Sequence, residues 1–198
     1  MKYKYVVIER EYGSGGTSIG HLLSEKTGIS CYGIEILKGV SDKLQIPVSD
    51  IEQYEENTTN SFLYSIYAFG RMNDESADLL SGENRIFVEE QKLIREYALQ
   101  GAAIFVGRCA AYALKDKDVL AVYIHADRES RKRRAIEEYG IPEKMADSIV
   151  TKYDKKRRNF YSVNIGKKWS DWDNYDIVLD SGKLGLEGCA NIIRAALG

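Results

Sequence analysis

Four short apolar runs constrain this chain more than anything else in it: Tyr5 to Ile8 (YVVI), Ala102 to Val106 (AAIFV), Val119 to Ile124 (VLAVYI) and Tyr175 to Leu179 (YDIVL). They are rich in β-branched and aromatic residues and are bounded by Gly or charged residues. Continuous apolar runs of this kind suit strands of a parallel sheet covered on both faces. Between them the apolar period lengthens to that of a helix. Ile19, Leu22, Leu23 and Lys26 mark one helix face, and Ile86, Glu90, Leu93, Ile94 and Tyr97 mark another. A last helix offers Leu186, Ile192, Ile193 and Ala196 to the core. Asp127 is placed to cap the helix after VLAVYI, and Ser49 with Glu52 has the spacing of a capping box. Strands alternating with helices predict an α/β fold with right-handed crossovers. Residues 33–84 are polar and lack a clear strand, so a helical insertion on one sheet edge is expected there. With two prolines and no low-complexity linker, 1–198 reads as a single domain.

Composition removes several classes of function. Lys and Arg number 28 against 30 Asp and Glu, a net charge of −2, which argues against a partner held by its nucleic-acid backbone. Three distant cysteines, Cys31, Cys109 and Cys189, exclude a disulfide framework, and no spacing suggests zinc. The N-terminal apolar run is short for a signal peptide, and none reaches the ~18 residues of a membrane span. The expected setting is reduced and cytoplasmic.

The informative segment is Ile8-Glu9-Arg10-Glu11-Tyr12-Gly13-Ser14-Gly15-Gly16-Thr17-Ser18-Ile19-Gly20, between the first strand and an amphipathic helix. Gly13, Gly15 and Gly16 permit positive φ, so successive N–H groups can converge on an anion. The following helix adds free amides and the positive end of its dipole. The pattern predicts a phosphate cradle; the plainer alternative is a glycine-rich turn. A Walker A loop would place Lys and then Ser or Thr after its last Gly. Here Gly16 holds the lysine position, while Thr17 and Ser18 retain hydroxyls. Arg10, at the loop mouth, is the nearest candidate to supply the missing charge.

Two basic clusters follow. Arg128, Arg131, Lys132, Arg133 and Arg134 open one helix, with Arg131 and Arg134 on a shared face. Lys152, Lys155, Lys156, Arg157 and Arg158 form the second. They could fold as a helical hairpin closing over a polyphosphate. The alternative is a solvated face balanced by Glu129, Glu137, Glu138 and Asp154.

Arg10-Glu11-Tyr12-Gly13-Ser14-Gly15-Gly16 with Ile19-Gly20 and Leu22-Leu23, Val106-Gly107-Arg108, Arg131 to Arg134, Arg157-Arg158-Asn159 and Leu179-Asp180-Ser181 together resemble the cytidylate-kinase-like family of P-loop nucleoside-monophosphate kinases. The likeness runs from about Tyr5 to Leu197 and is weakest over 43–84. It implies a three-layer P-loop kinase fold, a five-stranded parallel sheet with helices on both faces and a helical lid near 128–165. By the same resemblance, ATP phosphates would lie on Gly13, Ser14, Gly15, Gly16, Thr17 and Ser18, with Mg²⁺ at Ser18. Arg10, Arg131, Arg134 and Arg158 would neutralise the transferring group. Tyr32 and Arg108 would face a small nucleotide acceptor such as CMP. The family commonly lacks the Walker lysine. This chain also departs from it: Gly33 and Ile34 follow Tyr32 where Asp and Lys are usual, and no Asp ends AAIFV. Glu9 is the acid nominated for the metal. The rival reading is a nucleotide-binding module without turnover, with oligomeric state open. His21, His125 and Cys109 read as structural. Trp169 and Trp172 either cover a base or pack, and Tyr54, Tyr64 and Tyr67 either stack or pack.

Overall fold

Strand β1 (Tyr5–Arg10) lies in the middle of a parallel sheet, flanked by β3 (Ala103–Val106) and β4 (Val119–His125). The edges are β2 (Ser30–Tyr32) and β5 (Ile177–Asp180), giving the order β2-β3-β1-β4-β5. The computed structural model describes residues 2–51 and 82–198. Its helices are α1 (Gly16–Thr27), α2 (Ile34–Leu44), α3 (Gly82–Gln100), α4 (Ala110–Ala113), α5 (Arg128–Glu137), α6 (Glu143–Ile165) and α7 (Ser181–Leu197).

The apolar runs are two-sided, as continuous runs must be. Val6 and Ile8 meet Ile19 and Leu23 of α1 and Cys189, Ala190 and Ile193 of α7 on one face. Tyr5, Val7 and Phe105 meet Ile36 of α2 and Ile94 and Ala98 of α3 on the other. Each such side chain contributes on the order of 2 kcal/mol on burial, so β1 is firmly anchored right up to its glycine loop. Ile8 pairs with both Val106 and Val122, which levels the carboxyl ends of three strands. That end is where open α/β sheets bind ligands.

Asp127 caps α5 as expected, accepting from Ser130 N–H at 2.9 Å. Three local expectations differ. Ile192 is 39% exposed, because the chain kinks at Gly185 and the buried stripe of α7 becomes Cys189, Ala190, Ile193 and Leu197. Ser49 is not a cap: the Pro47 carbonyl accepts from Asp50 and Ile51 N–H, and Ser49 Oγ donates to Asp50. Tyr175 and Asp176 precede β5, where Asp176 instead fastens Ala121 through both its backbone and its carboxylate. Glu52, Tyr54, Tyr64 and Tyr67 lie outside the described residues.

Candidate active site

The loop after β1 turns twice through left-handed backbone, at Gly13 (φ 76°) and Gly15 (φ 77°). Side chains are excluded there on contact grounds as well. A Cβ on Gly13 would lie 2.5 Å from the Arg131 carbonyl oxygen, and one on Gly15 would strike the Leu186 side chain. Ser14 stabilises the turn by donating from Oγ to Glu11 O (2.8 Å), while Ser181 Oγ holds Ser14 O (2.6 Å). Helix α1 then begins at Gly16 with no side-chain cap. Its first internal bond is Ile19 N–H to Gly15 O, so the amides of Gly16, Thr17 and Ser18 remain directed out of the helix end. Thr17 is exposed and Ser18 half-buried. This is a cradle for an anion, with hydroxyls at its rim.

Helices α5 and α6 close over it. Arg131, buried, pairs with Asp154 (2.5 Å) and Glu11 (3.3 Å), and Asp154 also accepts from Tyr12 N–H (2.7 Å). Arg134 donates to Gly13 O (2.6 Å) and Arg157 to Arg10 O (2.9 Å). Tyr12 stacks on Tyr153 of α6 with centroids 4.6 Å apart and meets Tyr139 edge-on. The hairpin expected from the basic clusters is therefore real and seated on the loop. One member changes: Arg158 is exposed, and its neighbour Arg157 reaches the loop instead. The buried stripe of α6 runs through Ala146, Val150, Asp154, Tyr161 and Asn164, and Arg157 falls on it in steps of three and four. Arg158 sits a further 100° round the helix. Arg128 is also outside, tying α5 to Asp147 and Thr151.

Arg10 and Arg157, both half-buried, bring two guanidinium groups beneath the lid. Burial pulls both below the ordinary arginine value, and for Arg157 the Arg10 charge beside it adds to this, to about 9. Two like charges held near each other with reduced access to water are a pair that an anion would stabilise.

Just past the end of β3, Gly107, Arg108 and Cys109 all have positive φ. Non-glycine residues there are strained by on the order of 1 kcal/mol or more each. Gln91 supports the turn by donating to Arg108 O (2.9 Å). Arg108 lies 3.5 Å from Glu90, which the sequence places only as one position on a helix face. Both Glu90 oxygens are buried without a hydrogen bond, and burial pushes its carboxyl well above the usual range. Because the folded value is raised, the folded protein holds a proton that the unfolded chain releases, so this group weakens the fold as pH climbs past the ordinary glutamate range. Glu90→Gln is expected to raise Tm more at about pH 8 than at about pH 5, by about 2–4 °C per kcal/mol recovered. Calorimetric melts at both pH values check this; an equal gain at both would mean that Glu90 is ionised in the fold.

Tyr32 is stacked on Tyr97 (4.4 Å, 7°) and Phe105, within the sheet–helix packing. Trp169 is buried and donates to Glu9 Oε2 (3.2 Å), so it packs. Trp172 is exposed and stacks on His125. Cys31, Cys109 and Cys189 are free thiols.

A glycine loop under a basic helical lid, on a sheet of this order, invites comparison with known proteins. Residues 5–183 match the model of the cytidylate kinase-like family. The chain belongs to that family. It is 24% identical to the cytidylate kinase of Archaeoglobus fulgidus over 97% of this chain and 93% of the relative. With the cytidylate kinase of Methanococcus vannielii it shares 26% identity over 93% and 94%. A crystal structure of an uncharacterised protein from Eubacterium ventriosum superposes with a TM-score of 0.70 at 24% identity, covering 98% of this chain and 97% of the other. Shikimate kinase from Bacteroides thetaiotaomicron superposes with a TM-score of 0.56 at 12% identity, over 98% and 97%; that is a likeness of fold.

The positive-φ loop, with the free amides of α1 and the arginines beside it, fits a phosphate group. For a divalent cation the fit is narrower. Among the described residues no three His, Cys, Asp or Glu side chains gather to hold a metal. A cation at Ser18 would therefore be held by phosphate oxygens, water and one hydroxyl. Glu9, nominated for that role, lies buried beside Tyr123, Tyr161 and Trp169, with Trp169 as its partner and its Oε1 unpartnered. No helix of the described residues is long and apolar enough to cross a membrane.

The sequence names Arg157, Asp154, Glu11, Ser181 and Glu90 within its motifs and helix faces but assigns none of them an individual place at the site. Arg157 had a usable signal in the α6 stripe. Asp154 and Glu11 had none, since a carboxylate among basic residues reads equally as a solvated counter-charge.

Proposed function

We propose that this chain is a cytoplasmic, single-domain kinase that moves the γ-phosphoryl group of Mg·ATP to a nucleoside monophosphate, with CMP the acceptor that its relatives favour. The observation that carries the reading is the lid seated on the phosphate loop through Arg131, Arg134 and Arg157. A binding turn alone needs no such closure. Phosphoryl transfer does, because it depends on positioning, charge neutralisation and exclusion of water.

In this reading the amides of Gly16 to Ser18 hold the β- and γ-phosphates, and Arg108 orients the acceptor phosphate. An acceptor phosphate oxygen forms the new bond to the γ-phosphorus as the bond to the β–γ bridging oxygen breaks. The leaving ADP keeps that electron pair. An acceptor phosphate is already deprotonated at neutral pH, so no general base is required. When bound, Mg²⁺ would neutralise the phosphate oxygens beside the Thr17 and Ser18 hydroxyls. The lid arginines exchange their loop-carbonyl bonds for phosphate oxygens, which charge-assisted bonding favours.

The test is transfer from Mg·ATP to a panel of CMP, UMP, AMP, GMP and their deoxy forms, read by chromatography. Gly15→Val is the control, because φ 77° and the Leu186 side chain leave no room for a branched residue. Diphosphate product that disappears in the control, with CMP preferred, is the expected result. Heat protection by ATP with no product from any acceptor would favour the rival, a nucleotide-binding module without turnover, for which the missing loop lysine speaks.

A further inference from the structure

Gly16 stands where a Walker A loop carries its lysine, and the structure shows why nothing larger is there. A Cβ on Gly16 would lie 2.5 Å from Arg10 Cβ and 2.7 Å from Arg10 Cγ. The stem of Arg10 thus fills the volume through which a side chain at 16 would leave the backbone. The side chain then continues to Gly107 at the end of β3. A Cβ there would lie 2.9 Å from Arg10 Cζ and would collide with Nη1. Gly107 is itself left-handed (φ 76°) and donates to Ile8 O (2.9 Å), so the β1–β3 pairing sets the span.

Arg10 therefore crosses the gap between the phosphate loop and the turn that carries Arg108. Donor and acceptor phosphates would meet there. Arg10 is half-buried as a whole, but its Nε is buried and has no hydrogen-bond partner. A desolvated donor left unmade is unfavourable, and one retained at a ligand site is commonly completed by the ligand.

We propose that Arg10 replaces the absent lysine, reaching the phosphoryl group in transit from the β1 side of the loop, and that Gly16 and Gly107 are glycines because Arg10 lies across both. The proposal rests on the phosphoryl-transfer reading and makes Arg10 a catalytic residue.

The test compares the wild type with Arg10→Ala, Gly16→Lys and the double variant Arg10→Ala/Gly16→Lys. Turnover is measured together with calorimetric affinities for Mg·ADP and for Mg·AMP-PNP, which carries the γ-phosphate without transferring it. Arg10→Ala is expected to lower kcat by about 100- to 1,000-fold and to erase the preference for AMP-PNP over ADP. Gly16→Lys alone is expected to fail, since its stem meets that of Arg10. The double variant should regain at least about tenfold in kcat over Arg10→Ala and recover the AMP-PNP preference, because the lysine then has a vacated path.

A double variant that melts like the wild type yet matches Arg10→Ala in both readouts overturns the proposal, as does an Arg10→Ala protein with unchanged kcat. Should the double variant not fold, Arg10→Lys decides. A kcat between those of the wild type and Arg10→Ala supports the charge role, and one equal to that of Arg10→Ala with the AMP-PNP preference intact refutes it. Failure of the kinase reading is separable. A wild type that turns over no acceptor but loses its AMP-PNP preference on Arg10→Ala sinks the kinase and keeps the Arg10 contact.

Discussion

Arg157→Ala is expected to lower the rate of phosphoryl transfer by about 100- to 1,000-fold, the usual effect of removing one preorganised donor from developing negative charge. Arg158→Ala, one residue away, is expected to change it by no more than about twofold, as exposed substitutions do. The contrast follows from helix geometry. Arg157 is half-buried on the stripe of α6 that faces the loop, with Nη1 on Arg10 O and its guanidinium 5.6 Å from the Tyr12 ring, while Arg158 is exposed. Steady-state kinetics on the two variants decides. Equal losses would mean that α6 turns its other face to the loop during turnover. Because Arg157 is half-buried, its interaction with a phosphate would be screened less by salt than that of an exposed arginine, so much of the Arg157→Ala loss should persist at high ionic strength.

Asp154→Ala is expected to destabilise the protein by about 3–5 kcal/mol, because it leaves Arg131 buried without its main partner. The corresponding fall in Tm is about 2–4 °C per kcal/mol for a chain of this size. Asp154 accepts from Tyr12 N–H and pairs with Arg131, so its loss detaches loop and lid together. Differential scanning calorimetry measures the shift. Limited proteolysis near Gly140, between α5 and α6, should show faster cleavage as the lid opens. An unchanged Tm with unchanged cleavage would show that Glu11, 3.3 Å from Arg131, suffices to hold it. Removing the ion pair by Arg131→Met together with Asp154→Leu should recover part of the stability while turnover stays low, since the charge facing the phosphates is gone.

Much of the fold was legible because its signals are local. Continuous apolar runs require two covered faces wherever they occur, so YVVI, AAIFV and VLAVYI announced buried parallel strands before any partner was known. Asp127 announced the start of α5 by its own hydrogen-bonding capacity. β2 is a three-residue edge strand, too short for a periodic signal, and came only through the family resemblance. The kink at Gly185 was invisible for a related reason. A glycine inside a helical pattern does not say whether it bends, and the bend is what exposed Ile192.

At the site, the residue types and their approximate places were readable: a glycine loop, two basic clusters and an Arg after Gly107. Left-handed turns and free amides follow from glycine and the helix end wherever they occur, so the cradle is a property of the sequence itself. Which cation meets which phosphate position is not. Arg157 rather than Arg158, Asp154 as the buried partner of Arg131, and the path of Arg10 over Gly16 and Gly107 depend on the rotation of α6 against β1 and on the register of β1 with β3. Those are set by packing among segments about a hundred or more residues apart in the chain, and a shift of one residue in helix or strand would have exchanged every partner.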